Sequence, residues 1–94
     1  MDLCLKIHRE VIEEAKKHHV PTGLVTAVFM NGYAIHKRQH GSFNPSTMPE
    51  EDRHHYQAKM HGRYEFMRER AIEFIAKYHH LSEEERRKYT GREL

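Results

Sequence analysis

Apolar side chains recur at helical spacing between residues 3 and 19. Cys4, Ile7, Val11 and Ala15 share one stripe, with Leu3 and Ile12 widening it. Arg9, Glu10, Glu13, Glu14 and Lys17 fill the other side, and Pro21 with Gly23 should stop this helix. The pattern then changes. Leu24-Val25-Thr26-Ala27-Val28-Phe29-Met30 is rich in β-formers, and Asn31-Gly32 follows at once. Asn-Gly between two such runs predicts a β-hairpin, because both residues tolerate positive φ in a tight turn. In that register Met30 pairs with Tyr33 and Val28 faces Ile35. One face then shows Met30, Tyr33, Val28, Ile35, Thr26 and Lys37. The other shows Phe29, Ala34, Ala27, His36, Val25 and Arg38, with His40 beyond.

Residues 41–48 read as a loop, with turn chemistry at Asn44-Pro45. Thr47 and Glu50 make a capping box, and the acids Glu50, Glu51 and Asp52 suit a helix start. From there a helix should run to about Tyr78, with Met60, Tyr64, Met67, Ala71, Phe74, Ile75 and Tyr78 on one stripe. At ~1.5 Å per residue it would be ~45 Å long, more than one short helix and a hairpin can cover. Ser82 and Glu85 form a second box, opening a short helix that ends near Gly91. The expected fold class is α+β: helix, β-hairpin, long helix and short C-terminal helix, in a single domain over residues 1–94.

Ninety-four residues suffice for one domain with one modest core. The mean hydropathy of -0.95 is low, but the apolar residues are clustered, as folding requires. The one cysteine excludes an intramolecular disulfide and fits a reducing compartment. Cys4 lies on an apolar helix face and reads as a structural thiol, not a nucleophile. The N-terminus has no secretory pattern, and no apolar run is long enough to span a bilayer. A soluble cytoplasmic protein without a membrane partner is expected.

Charge adds one feature. No acid occurs between Glu14 and Glu50, whereas that stretch holds Lys16, Lys17, Lys37, Arg38, His18, His19, His36 and His40. A one-sided block on a rigid element points to an anionic partner. The net charge is only +2, so ten histidines make the cationic character depend on pH. The pairs His18-His19 and His79-His80 fall at helix C-termini, where the dipole favours cations. His54-His55 and His61 have carboxylates four residues away, in Glu50, Glu51 and Glu65. No metal or cofactor motif is present, so neither is expected.

Three classes of function compete. The lead expectation is a small non-enzymatic regulatory protein that contacts nucleic acid, or another anionic surface, through His36, Lys37, Arg38, Gln39 and His40. Lys59 and Arg63 of the long helix would assist, followed along its polar side by Arg68 and Arg70. The alternative is a protein-binding inhibitor or adaptor, of the antitoxin or host-machine-modulator type. It would act through Met60, Tyr64, Met67, Phe74, Ile75 and Tyr78, a face that could also form a homodimer. A third reading, a small metal- or His-dependent nuclease, lacks any motif that fixes a catalytic group.

Overall fold

The computed structural model describes residues 3–41, 43, 46, 48–53 and 55–91. Every regular element among them is helical: α1 (Leu3–Lys17), α2 (Thr22–His40), α3 (Glu50–Arg53), α4 (Tyr56–Lys77) and α5 (Glu83–Thr90), with a 3-10 turn at Tyr78–His80. The α+β expectation is therefore corrected. The segment read as a hairpin is one continuous helix, and Asn31-Gly32 lies inside it.

The buried positions of α2 explain the difference. Val25, Val28, Phe29 and Gly32 are buried, a spacing of i, i+3, i+4 and i+7 that only a helix gathers on one stripe. The run also fitted a period of two because it is apolar at nearly every position. β-Branched residues cost a helix at most ~0.7 kcal/mol each, whereas burying such a side chain contributes ~1.5–3 kcal/mol. Burial wins. Gly32 serves close approach in place of a turn: a Cβ there would lie 3.2 Å from Met67 Cα, so the backbones of α2 and α4 touch. Asn31 faces the other way and donates from Nδ2 to the Tyr89 carbonyl at 3.1 Å.

α1 closes with His19 in the left-handed region at φ 56. The His19 N–H reaches the Lys16 carbonyl and the Val20 N–H the Ala15 carbonyl, at 3.3 and 2.9 Å, which is a Schellman ending. Pro21, expected to stop α1, stands at the N-cap of α2. Three helices share the core: Ile7, Val11 and Ala15 from α1, Val25, Val28 and Phe29 from α2, and Met67, Ala71, Phe74 and Ile75 from α4. A full helix in place of two strands supplies the cover that the long stripe needs. The long helix does not run from Glu50 as expected, because α3 ends at Arg53 and α4 starts afresh at Tyr56. The Thr47 cap and the Asn44-Pro45 turn lie outside the described residues.

α5 has the expected capping box, with Glu85 N–H on Ser82 Oγ at 3.1 Å and Ser82 N–H on Glu85 Oε1 at 3.0 Å. Gly91 ends it at φ 74. Arg70 of α4 holds it by donating to the Lys88 and Tyr89 carbonyls, and Arg86 lies 4.0 Å from the centre of the Tyr78 ring. No described helix is long and apolar enough to cross a membrane.

Candidate anion-binding site

α2 and α4 run antiparallel, so their acid-free halves coincide. Gly32 meets Met67, His36 meets Arg63, and His40 shares a hollow with Lys59. α2 contains no carboxylate, and α4 has none before Glu65. That glutamate is turned toward Arg68 and His61, at 3.6 and 3.9 Å.

Arg63 organises this end. It is 1% exposed and pairs with no described carboxylate. Its Nε–H donates to His36 Nδ1 at 3.0 Å, and its Nη2 donates to the Gly41 carbonyl. The guanidinium lies 4.1 Å from the Phe43 ring centre and 5.0 Å from that of Tyr33, within the range of cation–π attraction. Gly41 terminates α2 at φ 79, with its N–H on the Lys37 carbonyl. That left-handed turn, open to glycine at little cost, accompanies the approach of its carbonyl to Arg63.

The Arg63 bond fixes the state of His36. An N–H donor needs a lone pair on Nδ1, so the imidazole is neutral and carries its own proton on Nε2. Desolvation by burial lowers the His36 pKa from its ordinary value, and the neighbouring His40 and Arg63 lower it further. The ring thus keeps one N–H to donate, at Nε2, with its basic nitrogen already occupied. The His40 ring packs on it at 4.2 Å between centres, and the Phe66 ring lies at 5.5 Å. Outside this cluster is a hollow of about 380 Å³ lined by His36, His40, Phe43, Ala58, Lys59 and Gly62.

The residues expected to meet an anion divide into two sets. His36, His40, Lys59 and Arg63 come together at the hollow, Arg63 behind its wall. Lys37, Arg38 and Gln39 lie on the last turn of α2, at its solvent side. Farther along α4, Arg68 pairs with Glu10 at 3.3 Å and Arg70 anchors α5. In the expected partner-binding set, Met67, Phe74 and Ile75 are buried in the chain's own core. Tyr78 packs against Phe74 and Arg86. Met60 and Tyr64 line a separate hollow of about 580 Å³ with Leu3 and Tyr56.

Sequence reading passed over Gly41, Phe43 and Tyr33. Two signals were available: a glycine directly after a basic helix end, and one aromatic residue in a loop of turn formers. Among the other histidines, His18 meets Glu14 at 3.0 Å, His79 meets the His18 carbonyl at 3.0 Å, and His8 meets Thr26 at 3.0 Å. His54 lies outside the described residues. Among the described residues no three His, Cys, Asp or Glu side chains converge to hold a metal ion. No protein-family model, curated protein or solved structure matches this chain.

Proposed function

We propose that this chain is a small, non-enzymatic, cytoplasmic binding protein that takes nucleic acid through the cationic end of the α2–α4 pair. The observation that supports it most is the coincidence of two acid-free helix halves, which leaves Lys37, Arg38, His40 and Lys59 unpaired with any described carboxylate. A surface of one sign attracts a polyanion and releases its counterions on binding. Lys37 and Arg38 would meet phosphates as they pass along the rim, without reading bases.

A gel shift with mixed DNA and RNA over a salt series tests this. Binding should weaken steeply with salt. Changing Lys37, Arg38 and Lys59 together to alanine should weaken it for all sequences and flatten the salt slope by up to ~0.9 for each phosphate no longer neutralised. A protein that ignores both nucleic acids at low salt would sink the reading.

One observation favours a second reading, a protein-binding adaptor or a homodimer. The hollow lined by Leu3, Tyr56, Met60 and Tyr64, with Gln57 and His61 at its polar side, exposes somewhat more apolar than polar surface, and apolar surface gains by association. Light scattering over a range of concentration, with Met60→Glu as the control, separates the dimer from a monomer.

A further inference from the structure

The hollow beside Arg63 has a property that the exposed cationic rim lacks: a buried charge stands behind it without a counter-charge. A guanidinium removed from water is costly unless opposite charge or good acceptors surround it. Arg63 has a neutral imidazole, a carbonyl and two aromatic faces, but no described carboxylate. No described carboxylate lines the hollow in front of it either.

The hollow also exists at the expense of helix stability. Ala58 and Gly62 are one helical turn apart on α4 and both line it. Glycine inside a helix costs roughly 0.5–1 kcal/mol relative to alanine, and packing does not require one here, because a Cβ at Gly62 would have nothing within 4 Å. Gly32 is glycine because a helix touches it; Gly62 faces open space. The small residues keep a concavity open between Lys59 and the His36–His40 pair.

We propose that this hollow binds a single phosphate group, with Lys59, His40 and the Nε2–H of His36 as its donors and Arg63 as the positioning residue behind them. The inference rests on the anion-binding reading above and narrows it from a charged face to one pocket. Arg63 fixes the His36 tautomer, so that ring presents an N–H while still neutral. Lys59 supplies a full charge, and the His40 ring, which also lines the hollow, a further N–H donor. The phosphate supplies the negative charge that Arg63 lacks.

The test is an NMR titration of the full chain with inorganic phosphate at pH 7, ionic strength held constant with chloride, following the imidazole signals of all ten histidines. His36 and His40 should shift saturably while His8, His18, His61 and His79 stay still. Gly62→Leu, which fills the hollow with a good helix former, should abolish the response while circular dichroism stays unchanged. Lys59→Ala with His40→Ala should weaken it at least tenfold. Equal drift of all histidines, or a Gly62→Leu protein that binds like the wild type, would overturn the pocket.

A mononucleotide and matched oligonucleotides with and without a 5′-phosphate then identify the source. An advantage of the phosphorylated strand that Gly62→Leu removes supports the pocket and assigns it to strand ends. Saturable mononucleotide binding with no oligonucleotide binding supports the pocket and removes the nucleic-acid reading. Oligonucleotide binding with His36 and His40 unmoved by phosphate overturns the pocket and leaves the charged rim standing.

Discussion

Arg63 donates its Nε–H to Nδ1 of His36 at 3.0 Å, a bond that only a neutral imidazole can accept. Protonating His36 removes the acceptor and sets two cations side by side, with His40 and Lys59 close by and Glu65 engaged elsewhere.

Stability should therefore fall in mild acid. Burial, His40 and Arg63 hold the folded His36 pKa below its ordinary value of 6.5, so the unfolded chain takes up the proton first. The contribution is fully present above about pH 6.5 and is lost as pH falls through the lower, folded value. His36→Gln, which can accept from Arg63 without titrating, should flatten this limb of a urea-midpoint curve between pH 5 and 8. A variant curve parallel to the wild type would show that other histidines carry the effect.

Arg63 variants should rank in an order set by charge and shape. Lysine keeps the buried charge but loses the planar fork that reaches His36 and Gly41 together. Methionine loses the bonds, worth ~1.5–3 kcal/mol for a charged donor, but also removes the charge that must be desolvated. Arg63→Lys should then unfold at lower denaturant than Arg63→Met. The reverse order would mean that the charge itself stabilises this end.

Two glycine substitutions should have opposite signs. At Gly62 a methyl meets nothing within 4 Å, so Gly62→Ala should stabilise by ~0.5–1 kcal/mol. At Gly32 the same methyl comes 3.2 Å from the Met67 backbone, and the two helices must separate to admit it. Overpacking of this kind costs ~1–3 kcal/mol, against at most ~1 kcal/mol of helix propensity gained. Thermal unfolding of the two variants reads the difference directly.

Tyr89→Ala should release α5 alone. The side chain packs on Phe74 with 5.4 Å between ring centres and lies beneath Arg70. Its loss should cost about 1–3 kcal/mol and speed amide exchange in residues 83–90, leaving the amides of α1 protected.

The helices were legible where a local signal acted alone. The α1 stripe, the Ser82–Glu85 box and the Gly91 stop all stand as read, because each depends on residues within a few positions of one another. The hairpin reading failed at Asn31-Gly32. Locally the pair favours a turn, but Gly32 is there for Met67, far along the chain, and Asn31 for Tyr89. No local rule sees such partners. His36, Lys37, Arg38 and His40 were named from the lack of acids around them, yet on a strand where the chain forms a helix, while Lys59 and Arg63 were placed on the long helix. Antiparallel packing of α2 on α4 was needed to place His40 beside Lys59 and to bury Arg63. Gly41 and Phe43 fall in the stretch read as a loop, and their contacts with Arg63 follow from no local pattern.

The Asn31–Tyr89 hydrogen bond closes a loop of 58 positions, and chain synthesis proceeds from one end. By the time Lys77 has emerged, α1, α2 and α4 have every core residue they share. α5 does not yet exist. Closing so long a loop is entropically costly, and the early core holds α2 and α4 in place to meet the late arrival. Until then the Asn31 amide, the Arg70 guanidinium and one side of Phe74 face the solvent of the growing chain. Docking of α5 then covers all three at once, so the last helix to be made supplies partners that the earlier helices hold in waiting.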